Sequence, residues 1–161
     1  MSAVASVIAA PGALALDPAQ REVLLEEIGT IASAVHEPLA RAPWEDLAAA
    51  VESGEVEEDL LGRLEKVLEM TLQTGRARRV HGAEIEQSLL RLFHQTPGGS
   101  AARRATAAVN EALATLQGQT IEGMLFTAQG PGVFRLGLRT DRCSLTLEID
   151  RHGVTVESLE V

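Results

Sequence analysis

The stretch RCSLTLEID, residues 142–150, alternates polar and apolar side chains along its whole length. A period of two is typical of a β-strand with one buried face, because successive side chains point to opposite sides of a sheet. The alternation predicts a strand that buries Cys143, Leu145, Leu147 and Ile149. This strand decides the fold class, because the chain before it follows a helical period instead.

Three further stretches are also predicted to be strands: TIEGMLFTA (120–128), GVFRLGLRT (132–140) and GVTVESLEV (153–161). The segments between the four strands are short and turn-like, which favours antiparallel neighbours. In the last stretch Val154 and Val156 are out of phase with Leu159, so we predict a β-bulge near Ser158. The C-terminal part is therefore predicted to be a four-stranded antiparallel meander.

Helical signals precede the sheet. Asp17 as N-cap, Pro18 at the first helical position and Gln20 three residues after the cap predict a capping box at the start of the first helix. Apolar residues at helical spacing, with Pro and Gly as boundaries, predict four more helices. These run from Pro43 to about Ser53, from about Glu55 to Thr74, from about Ala83 to His94, and from Ser100 to about Leu116.

The predicted fold class is therefore α+β. An N-terminal bundle of about four helices is followed by a fifth helix packed on the C-terminal meander, since a small sheet needs one face covered. We divide the chain into a flexible N-terminal tail (1–16), a helical region (17–97), and a helix plus meander (98–161). An alternative is that the helical region and the meander share one core.

The charge distribution limits the partners. The chain has 23 acidic and 14 basic residues, for a net charge of −9. An acidic surface disfavours general binding to nucleic acid or to anionic membranes. Aromatic residues are 2% of the chain, which is too few for a base-stacking platform. A single cysteine, and no basic residue before Arg21 to begin a signal peptide, favour the cytoplasm.

The basic residues concentrate in one segment. Residues 1–74 hold 14 acidic and 4 basic side chains, net −10, whereas residues 75–117 hold 3 acidic and 6 basic ones, net +3. These six arginines could form a solvated joint, bind an anion, or pair with the acidic first half of the same or a second chain. The candidate partner- or anion-binding residues are Arg76, Arg78, Arg79, Arg91, Arg103 and Arg104.

The stretch TPGGSAARR (96–104) resembles part of a phosphate cradle. Gly98 and Gly99 could form a nest of amides, and Ser100 could cap the following helix. Arg103 and Arg104 in the first turn would oppose the helix dipole, so an anion or a carboxylate from elsewhere would stabilise them. The lysine of a P-loop and the preceding strand are missing.

The sequence contains no catalytic or metal-binding signature. Cys143 falls on the buried face of its strand, and the histidines fall at helix ends and in a turn. The nearest set of metal ligands, Glu26 and Glu27 with His36, lacks the spacing of a known motif. We therefore expect no enzyme activity, no cofactor and no metal.

These observations favour a non-catalytic protein-interaction module, such as an adaptor, a chaperone-like protein or an assembly factor, that binds a protein partner or itself as a homo-oligomer. One alternative is a domain that binds a small molecule or an anion, through the sheet or the TPGGSAARR helix start. A further alternative is a regulator associated with nucleic acid. The negative net charge makes nucleic acid the less favourable partner. We expect no membrane association.

Overall fold

A computed structural model describes residues 12–161. They have the predicted α+β class, with helices followed by a four-stranded antiparallel sheet. The chain separates into two compact units, of which the first ends at Gly99 and the second spans Ser100–Val161. The buried apolar side chains fall into two clusters, one in each unit.

The first unit is helical, with one small strand pair. Its elements are β1 (Leu14–Ala15), α1 (Pro18–Ala34), α2 (Pro38–Ser53), β2 (Glu55–Val56), α3 (Glu58–Gln73), a π-helical turn (Ala77–His81) and α4 (Ala83–Phe93). The largest side chains of its core are fully buried, and all four helices contribute to them: Leu24, Ile28, Leu47, Leu64, Leu68, Leu89 and Leu92.

The start of α1 has the predicted capping box. The backbone N–H of Gln20 donates to Asp17 Oδ1 at 2.8 Å, and the backbone N–H of Asp17 donates to Gln20 Oε1 at 3.0 Å. The Gln20 amide also donates to Ser88 Oγ at 3.0 Å, and Ser88 lies on α4. The cap therefore joins the start of α1 to α4.

The second helix begins earlier than predicted, at Pro38 instead of Pro43. Pro38 takes the first helical position, where a missing N–H has no cost. Pro43 lies inside the helix, where it removes the hydrogen bond to the carbonyl of Leu39. The side chain of Leu39 is 84% exposed, so water can reach this part of the helix.

The predicted tail and the predicted start of the third helix also differ from the structure. Leu14–Ala15 form β1, which pairs with β2 at Glu55–Val56, and Leu16 is buried. The tail predicted for residues 1–16 is thus ordered at 14–16, because pairing satisfies its backbone groups. Its first eleven residues lie outside the described part of the chain. Since Glu55–Val56 form a strand, α3 begins at Glu58.

In the second unit, α5 (Pro97–Ala114), which begins before the unit boundary, leads into the sheet. The strands are β3 (Ile121–Gly130), β4 (Val133–Thr140), β5 (Ser144–Asp150) and β6 (Gly153–Glu160), in the order β3-β4-β5-β6. All neighbours are antiparallel. The predicted bulge is confirmed, because Thr146 faces Ser158 while Leu147 faces Val156, which leaves Glu157 without an opposite residue.

The core of the second unit lies between α5 and one face of the sheet. Val109 and Ala112 of α5 pack with Leu138 of β4 and with Leu145 and Leu147 of β5. Four partly buried side chains surround them: Leu116, Leu136, Val154 and Val156. The helix therefore covers β4, β5 and β6 on this face, and we call this face the helix-bearing face.

The cap of α1 gives a first prediction. Asp17→Ala should lower the free energy of unfolding by about 1 kcal/mol, because the Gln20 N–H loses its acceptor. Glu57→Ala is the matched control, since Glu57 precedes α3 without a side-chain capping bond. Urea unfolding followed by circular dichroism measures both variants. Equal losses in the two variants would contradict a stabilising role for the Asp17 cap.

Candidate functional site

Strand β3 carries apolar side chains on the helix-bearing face that the helix does not cover. Met124 lies opposite Leu138, and Phe126 lies opposite Leu136, so all four point to the same face. Leu138 is buried under α5, whereas Met124 is 66% exposed and Phe126 is 59% exposed. The cover thus ends before it reaches β3.

Other exposed apolar side chains lie on and beside β3. Ile121 is 54% exposed, Leu125 is 66% exposed, and Phe134 of β4 stacks on Phe126 with ring centroids 5.5 Å apart. Apolar side chains grouped at a surface mark interaction sites more often than isolated ones do. We call Ile121, Met124, Leu125, Phe126 and Phe134 the β3 surface.

The two edges of the sheet differ in charge. β3 contains one charged residue, Glu122, in ten, whereas the shorter β6 contains Glu157 and Glu160. An edge strand presents unpaired N–H and C=O groups, and proteins protect such edges with charged residues. β6 therefore carries more charged residues than β3, although Glu157 forms an ion pair with Arg135 of β4.

The sequence identified β3 as a strand but missed the β3 surface. The run Met124-Leu125-Phe126 places apolar residues on both faces, which breaks the alternation that the other strands keep. That run was the available signal. How far α5 extends over the sheet depends on tertiary packing, which periodicity does not report.

The opposite face of the sheet has a shallow depression of about 310 Å³ over Gly123 and Gly137. Two neighbouring positions without side chains create the space, and Leu125, Arg139 and Ser144 lie around it. Arg139 forms no ion pair with any described residue. The depression is open to solvent.

Arg76 is the predicted basic residue with the strongest partners. Its Nε donates to Glu27 Oε1 at 2.6 Å, and its terminal nitrogen lies 3.5 Å from Glu26 Oε1. Glu27 is buried, whereas Arg76 is partly exposed. The hydrogen bond to Glu27, together with the charges of Glu27 and Glu26, raises the pKa of Arg76. The counter-charges of Arg76 are thus two carboxylates from the acidic first half of the same chain.

The other five arginines have weaker partners or none among residues 12–161. Arg78 lies 3.8 Å from Glu86 in an exposed pair, and Arg79 donates to the carbonyl of Thr74 at 3.0 Å. Arg104 donates to Ser100 Oγ at 2.9 Å. Arg91 of α4 and Arg103 of α5 form no ion pair with any described residue.

The helix start at TPGGSAARR differs from the predicted phosphate cradle. Gly98 and Gly99 lie inside α5, which begins at Pro97, and Thr96 Oγ1 takes the capping place of Ser100 by accepting from the Gly99 amide at 3.2 Å. The Gly98 amide donates to Glu65 Oε2 at 2.8 Å. A carboxylate of the protein itself therefore occupies this helix start.

Close packing requires Gly99, because a Cβ there would collide with the backbone carbonyl of Phe93. A Cβ at Gly98 would collide only with the carboxylate end of the Glu65 side chain, which can move away. Because α5 begins three residues earlier than predicted, Arg103 and Arg104 lie beyond its first turn, where the dipole effect has fallen off.

Glu26 and Glu27 meet a different histidine from the one that the sequence suggested. His36 Nδ1 lies 2.9 Å from the carbonyl of Ala34, at the end of its own helix. His81, at the end of the π-helical turn, places Nε2 3.8 Å from Glu26 Oε2 and 4.0 Å from Glu27 Oε1. No local pattern predicts this contact, because Glu27 and His81 lie 54 positions apart.

Cys143 is buried, as its place in the alternation predicted. Its backbone N–H donates to Thr140 Oγ1 at 2.9 Å, and its thiol lies 3.4 Å from Gln119 Oε1. No histidine or carboxylate is among these hydrogen-bonding partners. The local contacts are those of a side chain that closes the turn between β4 and β5.

Comparisons with protein-family models, with curated proteins and with solved structures find no match to this chain. Among residues 12–161, none of the helices combines the length and the apolar character needed to cross a lipid bilayer.

The Arg76–Glu27 pair gives a second prediction. Arg76→Met should lower the free energy of unfolding by more than a matched change at an exposed arginine, because it leaves the buried Glu27 carboxylate without its donor. Arg78→Met is the matched control, since its pair with Glu86 is exposed and long, and such pairs contribute little. Chemical unfolding at pH 7 measures both; a loss for Arg78→Met as large as that for Arg76→Met would contradict this assignment.

Proposed function

We propose that the protein is a non-catalytic interaction module that self-associates through β3. The observation that carries the proposal is a free edge strand with exposed apolar side chains on both of its faces. The occupant that we propose is β3 of a second copy, which would join the two sheets into one of eight strands.

Backbone pairing is the first argument for a strand as the occupant. Within residues 12–161, β3 pairs with a strand on one side only, so alternate residues along its other side have N–H and C=O groups without a strand partner among the described residues. A regular stretch, Gly123–Ala128, lies between the two register shifts of β3. A strand from another chain can satisfy these groups directly.

Self-complementarity is the argument for a second copy. If a twofold axis passes through Leu125, Met124 lies opposite the second copy's Phe126, and Gly123 lies opposite the second copy's Thr127. Apolar side chains then meet on the helix-bearing face, and the two Leu125 side chains meet on the other. Glu122 lies outside this central stretch, so no like charges oppose each other within it.

Charge also permits this contact. Ser100–Val161 contains seven carboxylates and six arginines, net −1, whereas residues 1–99 contain sixteen carboxylates and eight basic side chains, net −8. Repulsion between two copies is therefore weakest if they meet through the second unit. Pairing through β6 would place Glu157 and Glu160 at the contact, and only Glu157 has a counter-charge, from Arg135, so β6 is the less favourable edge.

A test of the proposed function is the mass of the protein in solution. We expect a dimer by analytical ultracentrifugation, and we expect Phe126→Glu to shift it to a monomer, because a charge would be buried in the new contact. Leu39→Glu is the matched control: it places the same charge on another exposed apolar residue, in the first unit, and should remain dimeric.

Circular dichroism of Phe126→Glu should match that of the unmodified protein, since Phe126 is more than half exposed. A monomer at every concentration would overturn self-association and would favour a strand from a different protein as the occupant. A dimer that Phe126→Glu leaves intact would overturn the assignment to β3.

A further inference from the structure

We propose that Glu26, Glu27 and His81 form a binding site for a divalent transition-metal ion, with Zn²⁺ as the preferred ion. The site lies in the first unit and is independent of the β3 surface. No sequence motif indicates this site, because its residues come from two distant segments of the chain.

Two elements supply the three ligands. Glu26 and Glu27 are neighbours on α1, and His81 is the last residue of the π-helical turn. One ligand atom from each residue lies within 4.8 Å of the other two. Short π-helical segments occur frequently at functional sites, where the wider turn re-aims a side chain.

The unpaired nitrogen of His81 is the second observation. Most of the His81 side chain is buried, and its Nε2 atom has no exposed area and no hydrogen-bond partner among the described residues. Buried polar atoms of native proteins nearly always have a partner, so an unpaired one needs an explanation. This atom faces the two carboxylates and not the apolar core.

The distances are too long for a direct hydrogen bond and leave room for an ion between the ligands. His81 Nε2 lies 3.8 Å from Glu26 Oε2 and 4.0 Å from Glu27 Oε1, and a hydrogen bond between such atoms is no longer than about 3.2 Å. Two atoms that bind one tetrahedral ion at about 2.1 Å lie roughly 3.4 Å apart. Binding of Zn²⁺ would therefore draw the three side chains closer together by about half an ångström.

Arg76 positions the carboxylates and leaves oxygens for the ion. It approaches Glu26 at Oε1, whereas His81 approaches Glu26 at Oε2. Glu27 Oε1 accepts the hydrogen bond from Arg76, and a carboxylate has about four acceptor positions in all. The buried Glu27 is thereby held in place, as carboxylate ligands are held by outer hydrogen bonds in known metal sites.

The ligand set indicates the class of ion. One imidazole and two carboxylates suit Zn²⁺ and its neighbours in the first transition row, whereas Mg²⁺ and Ca²⁺ prefer oxygen ligands alone. Three protein ligands leave at least one coordination position for water. Glu26 is about half exposed, so the ion can enter from its side.

The proposal is tested on the full-length protein after treatment with EDTA. Isothermal titration with ZnCl₂ should show one ion per chain, and Zn²⁺ but not Mg²⁺ should raise the melting temperature. His81→Ala and Glu26→Gln should each weaken Zn²⁺ binding by about tenfold or more. In known metal sites the loss of an outer hydrogen-bond partner already weakens binding by about that factor, and the loss of a ligand should weaken it at least as much. Co²⁺ should give a visible absorption band that His81→Ala abolishes.

Matched controls keep the result specific. His94→Ala and Cys143→Ser remove other metal-binding side chains and should leave Zn²⁺ affinity unchanged. Glu26→Gln changes a half-exposed residue and should fold even if His81→Ala does not. The proposal is overturned if the unmodified protein binds no Zn²⁺ at micromolar concentration, or if Glu26→Gln and a folded His81→Ala bind it as tightly as the unmodified protein does.

Discussion

The second unit depends on one constraint: a single helix is too narrow to cover four strands. An α-helix with its side chains is about 10–12 Å wide, and the axes of the outer strands of a four-stranded sheet lie about 14 Å apart. α5 packs over Leu138, Leu145 and Leu147 and covers β4, β5 and β6. Met124 and Phe126, on the same face, remain exposed. In the proposed dimer, Met124 and Phe126 of the two copies would lie side by side on this face and shield one another from water in part.

The two units of this protein contain two different kinds of candidate site. In the second unit the candidate is an apolar surface beside a free edge, with backbone groups that a strand can satisfy. In the first unit the candidate is a polar cluster, in which buried Glu27 requires a positive partner and receives Arg76 at 2.6 Å. His81 Nε2 stays unpaired beside them. Each candidate site contains groups that the described residues of its own unit leave without a partner. These groups are the outer edge of β3 in the second unit and His81 Nε2 in the first.

Local signals predicted much of the fold. The capping box at Asp17 and Gln20, the alternation in β5 and the bulge near Ser158 involve neighbours in sequence, and the structure has all three, except that Ile149 is only partly buried. Predictions that depended on tertiary context were less accurate. Pro43 did not begin a helix, because Pro38 already occupied the first position. Gly98 and Gly99 did not form a phosphate nest, because Glu65 and Phe93 pack against them. The pairing of His81 with Glu26 and Glu27 joins distant segments, and no local pattern reports it.

Hydrogen exchange of the backbone amides can detect the proposed pairing of β3 of one copy with β3 of another. We predict that protection of residues 121–130 rises with protein concentration, while protection of residues 153–160, in β6, stays constant. Protection of β3 that does not depend on concentration, or a rise confined to β6, would show that β3 does not pair with a second copy.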